Sequence, residues 1–229
     1  PDSHVTYDTR VKQAVTEDLD LPIITEHVYL GHLQPTIDAM GMGEHIHGIN
    51  AQEVTTFRFG HFNAFPLVFN PDAPNLGAVI PYDKEPVALF EAMRDQNPQD
   101  EIIQVNHPRG SAAGAYFTYV GLDSVTGEVA VPEDWTTNWD AVEVFNDHCN
   151  PTESFDDWII LTNMGYRKTL ASGSDTHKLN EPPGTPRNWI QLDIAAVRDD
   201  SQNLVPAVRE RRLFVTCGPF IRFEAEDGT

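Results

Sequence analysis

The sequence predicts an α/β fold in which strands and helices alternate and the strands close into a barrel. Apolar segments of strand length alternate with segments of helical periodicity along the chain, a pattern that favours a mainly parallel sheet covered by helices. Polar side chains of metal-ligating types follow many of the strand segments. A parallel barrel brings all strand ends to one rim, whereas an open doubly wound sheet gathers its ligands at one switch point. The spread of these residues over many strands favours the barrel.

The first half of the chain begins with a helical pattern over residues 5–20, where Val11, Ala14, Val15 and Leu19 share one face. Periodicity and turn residues then predict further helices and strands. The predicted helices are 33–41 and 85–96, and the predicted strands are 21–27, 48–56, 60–69 and 101–108. The strand over 60–69 is expected to pair with the strand before it.

The second half continues the alternation. Its predicted strands are 139–146, 168–177, 188–194 and 212–218, and its predicted helices are 152–165 and 204–212. Residues 110–138 are rich in Gly, Thr and Pro, and they predict a long excursion over the surface. The chain therefore reads as one domain over residues 1–229, and its ends, at Pro1 and in "FEAEDGT", look truncated. An upstream segment, including one for export, would then be missing.

The composition restricts the function. The formal charge is −20 over 229 residues, so a polyanion such as nucleic acid would be repelled. No apolar run approaches the ~20 residues of a membrane span, which predicts a soluble protein. Cys149 and Cys217 lie far apart and outside any CxxC spacing, and we expect both to be free thiols. The sequence does not indicate the oligomeric state.

Imidazoles, carboxylates and side-chain amides recur where the strand segments end. They are Glu26 and His27, Glu53, Asn106 and His107, Asn146, and Asp175 and His177, with His61 eight residues after Glu53. Side chains two apart in a strand share a face, so Asp175 and His177 can point to the same place. A single His at a strand end is commonly structural, but this many such groups at one rim require a cation to compensate them.

These residue types predict a centre of two or three divalent cations. Imidazole and carboxylate ligands suit zinc, manganese or iron, and the lack of thiolates at the strand ends disfavours a cysteine site. A carboxylate such as Glu53 can bridge two cations ~3.5–4 Å apart, which can hold a hydroxide and clamp a phosphoryl or acyl oxygen.

The motifs "ITEH", "EVTTFRFGHFNAFPL", "VNHPRG", "EVFN" and "ASGSDTHK" together resemble the PHP (polymerase and histidinol phosphatase) superfamily. More narrowly, they are similar to its CehA/McbA-like metallohydrolase branch. The resemblance spans nearly the whole chain and implies a distorted (β/α)7 TIM-like barrel with two or three divalent metals. One departure is that the family's N-terminal HxH motif is missing, so the first strand of the barrel is expected to be missing too.

The resemblance also assigns roles to residues. Glu53 resembles the carboxylate that bridges two metals, and His61 and His107 resemble imidazoles of one of them. Asp175 resembles a ligand of the metal that the HxH motif would also hold. His27 and His177 resemble ligands of the third metal, with Asp2 as a further contact. Glu26 would orient an imidazole from outside the ligand set.

The predicted activity is a metal-dependent phosphoesterase of the EC 3.1 class, with a metal-bridging hydroxide as the nucleophile and a small anionic ester as the substrate. His177, His27 and Asp175 are the candidate catalytic residues, and Arg109 and Arg187 the candidates for binding the anion.

Two alternatives remain open. A carboxyl-ester or carbamate hydrolase would use the same metals and an apolar pocket, which residues 115–122, Trp135 and Trp139 could supply. The other alternative is an inactive metal-binding domain of a larger, exported protein.

Overall fold

The structure is a computed structural model that describes residues 3–97, 99–110, 114–147, 149, 153–218 and 220. Helices and strands alternate along this part of the chain. The helices are α1 (Tyr7–Thr16), α2 (Gln34–Ala39), α3 (Pro86–Gln96), α4 (Tyr116–Val120), α5 (Glu153–Asn163), α6 (Ile194–Asp199) and α7 (Leu204–Arg209). The strands are β1 (Ile23–Ile24), β2 (Ile49–Asn50), β3 (Gln52–Thr55), β4 (His61–Phe65), β5 (Ile102–Val105), β6 (Ala141–Asn146), β7 (Thr169–Gly173), β8 (Arg187–Ile190) and β9 (Leu213–Thr216).

The central sheet has five strands in the order β3-β4-β5-β6-β7. β5, β6 and β7 pair in parallel, whereas β4 runs antiparallel to both β3 and β5. β3, β5, β6 and β7 therefore end at the same edge of the sheet, and β4 begins there. Residues 56–60 join β3 to β4, which is too short for a parallel crossover and long enough for a hairpin. The expected pairing of the 60–69 segment with the preceding strand is confirmed.

The predicted closed barrel is corrected to a mixed α/β fold with a parallel-rich central sheet. Among the described residues, the strands form three separate ladders: the five-stranded sheet, the parallel pair β1-β2 and the antiparallel pair β8-β9. An isolated parallel bridge between His27 and Glu53 carries the β1-β2 pairing on to β3. The strands β8 and β9 pair with each other rather than with the central sheet, and no described ladder closes into a ring.

The core lies on both sides of the central sheet. Ile102, Ile103 and Val105 of β5 are fully buried, as expected for a strand covered on both faces. One apolar cluster packs Phe62 of β4 and Phe90 of α3 against α4 and α5, and a second packs α7 against β5, β6 and β7. A third forms between α1 and α2, where Val11 and Ala14 lie on the buried face that the helical period predicts.

Residues 110–138, predicted as a surface excursion, contribute directly to the core. Tyr116 and Phe117 of α4 are fully buried, and Trp139 just beyond the segment is 1% exposed. Tyr116 donates a hydrogen bond to the carbonyl of Asp134 and accepts one from the amide of Thr136. The aromatic residues of this segment therefore hold it against the sheet.

The expectation of free thiols was wrong, because Cys149 and Cys217 form a disulfide. The two cysteines are 68 residues apart in sequence, and only the fold brings the region after β6 next to the end of β9. Within the described part of the chain, no helix is long and apolar enough to cross a membrane.

Candidate metal centre

Glu53 is the centre of a cluster of imidazoles. It lies on β3 and is 7% exposed. Its Oε2 atom is 2.6 Å from His27 Nδ1, and its Oε1 atom is 3.5 Å from His61 Nδ1 and 3.7 Å from His107 Nε2. The two oxygens of one carboxylate therefore face different imidazoles, an arrangement that a carboxylate bridging two cations requires.

The local fold explains why these side chains meet. The β3-β4 hairpin pairs Thr55 with His61 in register, which places His61 two residues along from Glu53 at the same edge. The bridge between His27 and Glu53 brings in the end of the first strand segment. His107 follows β5, which pairs with β4. Each ligand candidate thus sits where a strand meets the shared edge.

The donor set fits a divalent cation. Glu53, His61 and His107 each offer one ligand atom, and these atoms lie within 4.8 Å of one another. A carboxylate oxygen and two imidazole nitrogens are ligands that zinc, manganese and iron accept. The carboxylate is buried and the two imidazoles are half-buried, so the site is not an exposed acidic patch.

Asp175 and His177 extend the cluster from the end of β7. His177 Nε2 is 2.8 Å from Asp175 Oδ1, so the two side chains that we expected on one face do meet. The ring of His177 lies parallel to that of His27, with their centroids 6.2 Å apart. His27 in turn lies 5.9 Å from His61, and His61 lies 4.9 Å from His107. Four imidazoles thus form a row across the strand ends.

The charges of the cluster support one another. Burial raises the pKa of Glu53, but its contacts with the imidazoles of His107, His27 and His61 outweigh burial and hold this pKa well below its usual range. Burial lowers the pKa of His107, but its contact with the Glu53 carboxylate, 3.7 Å away, and the charge of Glu143 raise it to about 9. Burial also raises the pKa of the Glu143 carboxyl, to about 7, against the opposing effect of the His107 amide. Without a metal, the proton that His107 holds at neutral pH thus compensates the Glu53 carboxylate.

Sequence reasoning noted Asn106 at a strand end without giving it a role, and it missed Thr55 and Glu143, which also support this cluster. Asn106 Nδ2 donates to Glu53 Oε1 at 3.0 Å, and the Thr55 hydroxyl is 2.5 Å from His27 Nδ1. Glu143 accepts a hydrogen bond from the His107 amide at 2.7 Å. The signal for Glu143 is a carboxylate inside the otherwise apolar segment "AVEVF", because a buried charge in a strand needs a local purpose.

The structure pairs the side chains of three other candidates with groups of the protein outside the Glu53 cluster. Arg109 forms an ion pair with the buried Asp157 and also donates to the carbonyl of Leu122. Arg187 donates to the carbonyls of Gly184 and Glu17. The side chain of Glu26 interacts with the Tyr7 hydroxyl, which contributes to the raised pKa of Tyr7.

Asp2, the remaining proposed metal contact, lies outside the described residues.

No protein-family model matches the chain, and a search of curated protein sequences finds no significant match. Solved structures do match in fold. One is the crystal structure of a two-domain protein containing a predicted PHP-like metal-dependent phosphoesterase, from Bacteroides vulgatus ATCC 8482. It aligns with a TM-score of 0.58 and 19% identity, over 94% of this chain and 61% of that chain. The chain thus spans about three fifths of that protein's length.

A second match is PsfC from Pseudomonas syringae PB-5123, with a TM-score of 0.55, 13% identity, and coverage of 92% of this chain and 82% of that chain. At these identities the likeness shows a shared fold. It agrees with the resemblance to the PHP superfamily at the level of the fold, and the cluster around Glu53 adds a candidate site for divalent metal.

Proposed function

We propose that the chain is a metal-dependent hydrolase that acts as a phosphoesterase. The observation that carries this proposal is the Glu53 carboxylate, whose two oxygens face separate imidazoles at a half-buried sheet edge. The shared fold with a protein described as containing a predicted PHP-like phosphoesterase supports the choice of reaction. The motifs similar to the CehA/McbA-like branch belong to the same proposal.

In this proposal Glu53, His61 and His107 would hold one cation, Glu53 and Asp175 would contribute to a second, and His27 and His177 would bind a third. Cations bound there would lower the pKa of a bound water toward ~7 and supply a nucleophile near neutral pH. Zinc, manganese and iron all suit the donor set.

The remaining groups of the cluster orient the substrate and move protons. His177 and His27 are the candidates for protonating the leaving-group oxygen, because they lie side by side at the outer end of the imidazole row. Asp175 fixes the orientation of the His177 ring through Nε2. Arg109 and Arg187 remain candidates for binding the anionic substrate only if they exchange their present partners, Asp157 and the carbonyls of Gly184 and Glu17.

A carboxyl-ester or carbamate hydrolase is the competing activity of the same site. Three of the residues expected to form its apolar pocket are instead part of the core: Tyr116, Phe117 and Trp139 are all fully buried or nearly so. This burial favours the phosphoester, and a substrate screen tests the choice.

The test is metal content by plasma mass spectrometry on protein purified without a His tag, followed by a screen of aryl phosphates, aryl esters and aryl carbamates. We expect two or more equivalents of divalent metal and turnover of phosphoesters. Glu53→Gln and His107→Ala should lose both, whereas His45→Ala, a change at an exposed histidine, should lose neither. A parent protein that binds no added zinc, manganese or iron would overturn the proposal, and turnover of carboxyl esters alone would select the competing activity.

We further propose that the protein works in an oxidising compartment, consistent with export. The disulfide between Cys149 and Cys217 supports this, because disulfides persist mainly outside reducing compartments. Mass spectrometry after alkylation of the native protein, isolated from its own cells, would test it. Two alkylated cysteines would contradict the proposal.

A further inference from the structure

Glu143 is a buried carboxylate directly behind the metal centre. It lies on β6 in the middle of the central sheet and is 3% exposed. Its Oε2 atom accepts hydrogen bonds from the His107 amide at 2.7 Å and from Asn146 Nδ2 at 2.9 Å. Its Oε1 atom accepts one from Gln104 Nε2 at 3.3 Å. Among the described contacts its partners are neutral donors, so its charge is not compensated by a Lys or Arg side chain there.

The sheet is shaped to hold this carboxylate. The register between β6 and β7 shifts at Glu143 and Phe145, and such bulges re-aim side chains next to functional sites. On β7, a Cβ atom at Gly173 would lie 2.0 Å from Glu143 Oε1. Glycine at this position therefore leaves the room that the carboxylate occupies.

Glu143 accepts a hydrogen bond from the amide of His107, a residue whose backbone is strained. His107 has a φ of +25°, in the region that side-chain-bearing residues rarely adopt. A strained backbone persists only where its surroundings over-determine it. The hydrogen bond from the His107 amide to a buried carboxylate supplies such a constraint at the residue whose imidazole faces Glu53.

Glu143 also connects to Glu53 by a second route. Gln104 Nε2 lies within hydrogen-bond distance of both Glu143 Oε1 and Asn106 Oδ1, at 3.3 and 3.2 Å. Asn106 in turn donates to Glu53 Oε1. One buried carboxylate thus reaches two of the proposed metal ligands, His107 through its backbone and Glu53 through two amide side chains.

We propose that Glu143 is a positioning residue of the metal centre, which fixes His107 in its strained conformation and, with Gly173 making room for it, sets the affinity of the site for divalent cations. This inference rests on the proposed function for its consequence, metal affinity, but the contact itself is a property of the metal-free protein. Groups that orient metal ligands from behind contribute about 10- to 100-fold in metal affinity.

The first arm of the test is amide hydrogen exchange of His107 by NMR in the metal-free full chain. In the parent protein we expect slow exchange. Glu143→Ala and Gly173→Ala should both accelerate it at least about 10-fold relative to the amide of Val105 in β5. The Gly173→Ala variant keeps the Glu143 carboxylate but displaces it, so it tests the position of this carboxylate separately from its charge. Unchanged His107 exchange in both variants would overturn the proposal.

The second arm is zinc and manganese affinity by titration calorimetry. Glu143→Ala and Gly173→Ala should bind about 10- to 100-fold more weakly, and Glu143→Gln, which keeps an acceptor but not the charge, should lie between them and the parent. Val144→Ala is the matched control, because it removes a buried side chain from the same strand. It should lower Tm without changing His107 exchange or metal affinity.

The outcomes separate the two proposals. If the parent chain binds no metal, the proposed function fails, and the exchange of His107 alone decides the role of Glu143. If the parent binds metal but Glu143→Ala and Gly173→Ala bind it equally well, the positioning role is overturned and the proposed function stands.

Discussion

Glu53 remains ionised although it is almost fully buried, because the imidazoles around it favour its charged form. Burial would raise the pKa of Glu53, but contacts with the imidazoles of three histidines lower it well below the usual range. In the metal-free protein a proton on His107 therefore compensates this charge. A cation that replaces the proton finds the carboxylate already ionised, which is the form that binds metal.

His107 makes cation binding depend on pH. Its pKa in the folded protein is raised to about 9, so at pH 7 its imidazole is protonated and must lose the proton before it can coordinate a metal. We expect zinc affinity to rise as pH increases from 7 to about 9, and binding at pH 7 to release at least one proton. Calorimetry in buffers of different ionisation enthalpy measures that release.

The raised pKa of His107 also makes the stability of the metal-free protein depend on pH, in the direction opposite to that of zinc affinity. Because the folded pKa of His107 is raised, the contribution of its proton to stability is fully present below the unfolded value of ~6.5 and is lost as pH rises through about 9.

An affinity for zinc that is flat between pH 7 and 9, with no proton released, would show that His107 is neutral or is not a ligand.

At the residue scale, position after a strand was the informative signal. Glu53 and His107 could be proposed because each lies where an apolar segment ends, and His61 because it opens the next segment eight residues after Glu53. The role of Glu143 could not, although a carboxylate inside the apolar segment "AVEVF" is a signal for the residue, because a hydrogen bond to the backbone of His107, 36 residues away, leaves no spacing pattern in the sequence. Nor could the pairing of Arg109 with Asp157, which are 48 residues apart.

At the scale of elements, Asp140 joins four of them at the end of the sheet away from the metal centre. It precedes β6 and pairs with Arg94 of α3 at 2.7 Å and Arg209 of α7 at 2.9 Å. Its Oδ2 atom also accepts the amide of Ile103 in β5 at 2.9 Å. Its side chain is 12% exposed, so these pairs are largely shielded from water.

Removing this carboxylate should destabilise the fold. We expect Asp140→Ala to cost about 3 kcal/mol of unfolding free energy, because it removes the shielded partner of Arg209 and one of the two shielded partners of Arg94, the other being Glu101. Asp100 also pairs with Arg209, but its side chain is 55% exposed, and Asp100→Ala should cost under about 1 kcal/mol. Urea unfolding of both variants measures the difference. Equal losses would show that Asp140 does not connect the elements in this way.

The order of elements was largely readable from periodicity, and the exceptions have physical causes. The helix α4 has five residues, "YFTYV", whose aromatic and β-branched side chains favour strands over helices. It forms because Tyr116 and Phe117 are buried against the core. The antiparallel direction of β4 follows from the short connection over residues 56–60. Closure of the barrel could not be judged from alternation, because alternation does not fix how the outer strands pair.

At the scale of the whole molecule, the disulfide is the main covalent constraint among the described residues. It joins positions 68 residues apart, and a ring of this size restricts the unfolded chain by about 4 kcal/mol in the chain-entropy model. We expect the Cys149→Ser/Cys217→Ser variant to lose about that much unfolding free energy in urea. A reducing agent should affect the parent protein and leave the variant unchanged. An equal stability of the two proteins, with both parent thiols open to alkylation, would show that the bond does not form in solution.

The ring also divides the proposed metal centre. Asp175 and His177 lie between the two cysteines in sequence, whereas Glu53, His61 and His107 precede them. Mechanical tension applied through the two chain ends would pass across the disulfide and would not extend the enclosed segment. In an optical trap, the oxidised protein should unravel about 240 Å less than the reduced one, given ~3.5 Å per extended residue. Stretching would strip Glu53 and its histidines from their strands while the segment carrying Asp175 and His177 stayed within a closed loop.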